Sequence, residues 1–114
     1  MTNPELTATV RALRKASKKG AALWGALADE LGRPRRGRVA VNLSVINRYT
    51  GEGDVVAVPG KVIGSGEIAH AVTVAAFSFS ETAREKIARA DGKTLSLTEL
   101  VDGGVEPSKI KILK

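Results

Sequence analysis

Arg33-Pro34-Arg35-Arg36-Gly37-Arg38 places four guanidiniums within six residues, and the proline and glycine among them keep the backbone out of a regular helix. Arginine presents a planar fork of donors that matches two phosphate oxygens at once, so an extended or turned run lets neighbouring side chains reach successive phosphates. A polyphosphate backbone is the ligand such a run fits. A solvated basic loop is the other reading, and the remaining cations weigh against it. Arg11, Arg14, Lys15 and Lys18 recur at helical spacing, with Lys19 beside them. No carboxylate falls between Glu5 and Asp29 to give the i,i+4 support that an ordinary solvated face carries. Further along, Asn42, Asn47 and Arg48 join the candidate set. So do Lys61 and Ser65, which flank or sit in the turn Gly64-Ser65-Gly66, whose backbone amides can approach a phosphate.

Other chemistries find little to build on. Gly64, Gly66 and Ala69 fill a G-x-G-x-x-A pattern, but a dinucleotide site needs that loop to open a helix, and here it leads into the apolar run Val72 to Phe79. His70 is the single histidine and there is no cysteine, so triads, paired imidazoles, thiolate metal sites and disulfides are excluded. No two carboxylates stand out as an acid/base couple. Neither a catalytic residue nor a metal or cofactor site is expected. Trp24 falls on the leucine side of its helix and is expected in the core rather than against a base. Phe77 and Phe79, two apart on one strand, are expected to share a face and to be core, since the basic and glycine flanks of an RNA-recognition motif are missing.

Bulk properties agree with an anionic partner. The 114 residues fit one domain with a real core, and eighteen Lys and Arg against twelve Asp and Glu give a formal net charge of +6. The excess is lopsided: residues 1–57 carry ten basic and five acidic side chains, residues 58–114 eight and seven. The longest run without a formal charge, Ile68 to Ser80, is shorter than the ~18 to 20 residues of a membrane span. The first residues, Met1 to Glu5, lack the basic and apolar regions of a secretory signal, and a mature cytoplasmic protein is expected.

These side chains must be held by a small set of elements. Asn3-Pro4-Glu5 predicts a helix start, and the first helix runs to about Ser17, with Leu6, Val10 and Leu13 on its packing stripe. Gly20 breaks it, and Ala21 to Leu31 forms a second helix ended by Gly32. Asn42 is expected to cap a short third helix that docks through Leu43, Ile46 and Tyr49, leaving Asn47 and Arg48 outward. Asp54 to Val58 reads as a strand, Pro59-Gly60 as a turn pair, and Lys61 to Ile63 as resumed extended chain. Val72 to Phe79, almost continuously apolar, predicts a central strand covered on both faces. Ser80 caps a helix to about Ala90, paired Glu85 to Arg89 and stopped by Gly92. Thr94-Leu95 is a short strand, Ser96 to Glu99 a capping box opening a helix ended by Gly103-Gly104, and Lys109 to Lys114 an edge strand. The alternation predicts an α/β fold: a small parallel sheet with helices, preceded by a basic helical N-terminal arm. Residues 1–53 are expected to be the basic RNA-contacting region and 54–114 the α/β body, within one compact chain.

Three strings carry a specific resemblance: Pro34-Arg35-Arg36-Gly37-Arg38-Val39-Ala40-Val41-Asn42 continuing to Ile46-Asn47-Arg48-Tyr49, then Val58-Pro59-Gly60-Lys61-Val62-Ile63-Gly64-Ser65-Gly66, then Val72 to Ser80. The chain resembles the archaeal and eukaryotic large-subunit ribosomal protein eighteen-e family, whose C-terminal half is similar to that of bacterial large-subunit ribosomal protein fifteen. The resemblance runs from about Asn3 to Lys114, departing mildly at Ile63, where the family often has Leu. It implies a non-catalytic ribosomal component bound to large-subunit ribosomal RNA and to neighbouring ribosomal proteins, with no membrane and no small-molecule substrate. The compact C-terminus without a long basic tail favours the archaeal over the eukaryotic form. A free-standing RNA- or DNA-binding module is the alternative class.

Overall fold

The computed structural model describes residues 4–32, 39–103 and 106–114. Proline at the first position and Glu5 in the first turn open α1 (Pro4–Lys19), and Lys18 and Lys19 close it where the helix dipole is negative. Gly20 interrupts the chain, α2 (Ala22–Leu31) follows, and Gly32 ends it. The order continues as β1 (Val39–Asn42), α3 (Leu43–Tyr49), β2 (Val55–Ile63), β3 (Thr73–Phe79), α4 (Glu81–Arg89), β4 (Lys93–Ser96), α5 (Leu97–Asp102), a 3-10 turn at Pro107–Lys109 and β5 (Ile110–Ile112). The two helix starts predicted in the second half hold in detail. The Ser80 hydroxyl accepts from the Ala83 N–H at 3.1 Å, and Ser96 and Glu99 form a complete capping box.

Among the described residues the five strands are all parallel, as the strand and helix alternation predicts, and helices cover both faces. On one face Leu43 and Ile46 of α3 and Ala83 and Ile87 of α4 meet Val56, Val58, Val62, Val74 and Ala76. On the other, Leu13 of α1, Trp24, Leu27 and Leu31 of α2 and Leu97 and Leu100 of α5 meet Ala57 and Ala75. The sheet alternates large and small, so its alanines leave room for the bulky side chains of α2. Both cores draw on residues from either side of position 53.

Strand β2 organises the sheet and departs from the expected reading. Pro59-Gly60 does not turn the chain but runs through the strand. On its outer side β5 pairs with Val55 to Ala57 and β1 with Gly60 to Ile63, so Val58 and Pro59 fall in the gap between the two partners. A proline is tolerated there because no ladder N–H is called for. Gly60 is required because a Cβ would collide with the carbonyl of Val39. Strand β1 itself, four residues following the arginine run, is not anticipated by the pattern.

The β2–β3 register shifts between Val58 and Lys61, which separates the two phenylalanines. Phe77 packs with the α1/α2/α5 side and Phe79, opposite Val62, with the α3/α4 side, so they do not share a face. Three smaller corrections concern helix and strand ends. Asn42 stands at the N-cap of α3, yet its side chain makes no capping bond. Asp91, not Gly92, takes the left-handed conformation after α4. The extended run expected from Lys109 is the shorter β5.

The return from β2 to β3 contains no helix. Residues 64–72 must run from the C-terminal end of one strand to the N-terminal start of its parallel neighbour, with backbone groups that no regular structure satisfies. Side chains of the flanking helices do so instead. The Asn47 Oδ1 accepts from the Ala69 N–H at 3.0 Å, and the Lys86 Nζ donates to the Gly64 and Gly66 carbonyls at 2.9 and 2.8 Å.

Candidate nucleic-acid interface

Helix α1 separates its chemistry by face. Thr9 and Leu13 are buried and Leu6 and Val10 pack beside them, while Arg11, Arg14, Lys15, Lys18 and Lys19 are exposed. Arg14 reaches Asp29 of α2 at 3.4 Å. Arg11, Lys15, Lys18 and Lys19 have no ion-pair partner among the described residues. Lys15 and Lys19 also line a groove of about 270 Å³ against Thr98, Val101 and Asp102 of α5, which places α5 beside the basic helix although nothing in the sequence links the two.

A second group stands on the sheet. Val41 and Val62 point into the α3/α4 core, so alternation puts Ala40, Asn42 and Lys61 on the opposite face. All three are exposed there, with Ala40 and Lys61 opposite each other in the ladder. Arg33, Arg35, Arg36 and Arg38 lie outside the described residues.

Around α3 the expected outward set is mixed. Arg48 is exposed and has no ion-pair partner among the described residues. Asn47, expected to face outward, instead spends its carbonyl oxygen on the Ala69 N–H. Tyr49, expected to dock, is 56% exposed. Leu43 and Ile46 are buried in the core, and Tyr49 ends the helix with its own carbonyl accepting from the Lys111 Nζ at 3.3 Å. Thr50 donates to the Ile46 carbonyl at 2.6 Å and stands 2.8 Å from the His70 Nε2, so the lone histidine braces the segment 64–72. Ser65 is exposed at the tip of its loop.

The cations of the second half are used differently. Lys86 pairs with Glu67 at 3.4 Å, Arg89 with Glu85 at 4.0 Å, Lys109 with Glu106 at 4.0 Å, Lys111 with Asp54 at 2.9 Å and Lys114 with Glu30 at 2.9 Å. Arg84 lies over the Phe79 ring, 5.5 Å from its centroid. The Gly51 N–H and then the Lys111 ammonium hold the Asp54 carboxyl below the usual carboxylate range, so it faces Lys111 as a carboxylate in neutral solution. Surface pairs add little stability, but each cancels a positive charge locally. Only Lys61 and Lys93 among the described cations of residues 58–114 lack both an acidic partner and an aromatic ring. Among the described residues the uncompensated cations are thus densest on α1, with Arg48, Lys61, Arg84 and Lys93 standing singly elsewhere.

Among the described residues no group of three or more His, Asp or Glu could hold a metal ion, and no helix is long and apolar enough to cross a membrane.

Residues 26–95 match a family model described as ribosomal proteins 50S-L15, 50S-L18e and 60S-L27A. Over 114 residues the chain is 50% identical to the large ribosomal subunit protein eL18 of Methanothermobacter thermautotrophicus, covering 99% of this chain and 94% of that protein. It is 44% identical to the protein of the same name from Methanococcus maripaludis, covering 98% and 94%. The Haloarcula marismortui protein of that name is 41% identical, covering 99% and 97%.

Proposed function

The chain belongs to the family of ribosomal proteins 50S-L15, 50S-L18e and 60S-L27A, and on that premise we propose that it is a structural constituent of the large ribosomal subunit that binds ribosomal RNA. The side chains assigned to RNA are Arg11, Arg14, Lys15, Lys18 and Lys19 of α1, the segment Arg33, Arg35, Arg36 and Arg38, then Asn42, Asn47, Arg48, Lys61 and Ser65. Residues 1–53 supply most of them and residues 54–114 the supporting body. The observation that carries this reading is the division of cations: those of α1 and Arg48 stand mostly unpaired, while most of the second half are matched to carboxylates. Unpaired cations release counterions when they meet phosphates, whereas a paired one must first give up its partner. Asn47 keeps its amide N–H groups for RNA while its oxygen holds the segment 64–72.

Neighbouring ribosomal proteins are the other partners, the cytoplasmic ribosome is the location, and no catalytic role is inferred. A free-standing RNA- or DNA-binding module would carry a similar surface, but similarity to ribosomal proteins along nearly the whole chain favours the subunit.

Gradient sedimentation tests the proposal. The wild-type chain should travel with large subunits, and changing Arg11, Arg14, Lys15 and Lys18 together to Gln should reduce its incorporation. The melting temperature of the free protein should stay nearly unchanged, because exposed like charges and one exposed ion pair, Arg14 with Asp29, add little favourable energy to the fold. Normal incorporation of that variant would mean that α1 faces solvent.

A further inference from the structure

Lys86 differs from the other described lysines. Its side chain is only 22% exposed, and its ammonium serves the chain itself through the Gly64 and Gly66 carbonyls and the Glu67 carboxylate. The Ser65 carbonyl between them accepts from the Ser44 N–H of α3 at 3.2 Å. Three consecutive carbonyls of this loop therefore have their partners within the protein. The Gly64 N–H is also satisfied, donating to the Ser80 hydroxyl at 3.1 Å. The N–H groups of Ser65, Gly66 and Glu67 are not: among the described residues none of them donates to a protein acceptor, and all three residues are exposed. Gly66 adopts φ +86, and a Cβ there would press on Ser44, so the loop is seated tightly against α3 in this orientation. With the carbonyls held by the protein, the successive unpartnered amides are donors available to an anion. If the carbonyls were released, their oxygens would be free to face and repel that anion.

We propose that Lys86 is a positioning residue for RNA binding: it clasps the carbonyls of the loop so that the amides of Ser65, Gly66 and Glu67 receive one phosphate of the RNA backbone. This rests on the RNA-binding reading above and deepens it. Lys86 itself does not touch the phosphate. Neutral amides position a phosphate without the counterion release that a lysine produces.

The test compares the wild type with a double variant, Lys86→Gln with Glu67→Gln, which removes the clasp and leaves the net charge unchanged. The probe is deproteinised large-subunit ribosomal RNA. On the wild type, hydrogen exchange at Ser65, Gly66 and Glu67 should be fast in the free protein and slow in the complex. The double variant should exchange faster across the loop and bind about tenfold more weakly, with an unchanged slope of affinity against salt. A wild-type complex in which these amides stay fast overturns the phosphate seat, even if the variant fails to fold. Equal affinity of variant and wild type overturns the positioning role. A wild type that does not bind this RNA at all overturns the underlying RNA reading instead.

Discussion

Replacing Arg33, Arg35, Arg36 and Arg38 together by Ala is expected to flatten the salt dependence of RNA binding by about 0.7 to 0.9 in log–log slope for each phosphate no longer neutralised, so by roughly 3 if all four engage phosphates. Affinity should fall accordingly at low salt and much less at high salt. The reason is chemical: four always-charged guanidiniums within six residues meet phosphates, and their irregular spacing with intervening Pro34 and Gly37 carries little base information. The loss should therefore be similar for RNAs of different sequence. Salt titrations of wild type and variant against the same RNA measure it, and an unchanged slope would remove the segment from the interface.

Trp24→Ala is expected to cost about 3 to 5 kcal/mol of folding stability. Trp24 is 7% exposed in the core that joins α1, α2 and α5 to the sheet alanines Ala57 and Ala75, and the small sheet residues there cannot collapse into the space an indole leaves. This variant should unfold in much less denaturant than the wild type, whereas the glutamine changes on α1 should not alter the midpoint. An indole that stacked on a base instead would show the reverse: little loss of stability in the free protein and a loss of RNA affinity. Denaturant melts and RNA binding measured on the same preparations separate the two.

What was legible in the sequence was whatever rests on local pattern. The α1 and α2 stripes, the Ser80 cap, the Ser96–Glu99 capping box and the apolar β3 all follow from periodicity and cap chemistry, and they appear where expected. What was not legible depends on residues distant in sequence. Pro59-Gly60 is an ordinary turn signal, and only the arrival of β1 and β5 on the same side of β2 makes it a strand interior. The alternation rule put Phe77 and Phe79 together, but a register shift against β2 breaks that rule. The three-residue spacing of Leu43, Ile46 and Tyr49 holds for the first two and fails where the helix ends. For the candidate interface, types and spacing marked the basic face of α1. Lys86 could not be told from a solvated helix lysine, because its partners Gly64 and Gly66 lie about twenty residues away.

On the proposed function, the cations divide into an unpaired set that meets RNA and a paired set that serves the fold. Two variants with equal charge loss test this division most directly: Arg11, Lys15, Lys18 and Lys19 changed to Gln, and Arg89, Lys109, Lys111 and Lys114 changed to Gln. The slope of affinity for large-subunit ribosomal RNA against salt is measured for both. The first should lose about 0.7 to 0.9 for each cation that neutralised a phosphate, and the second should keep the wild-type slope. Equal losses in the two variants would show that only net charge matters and would contradict the division.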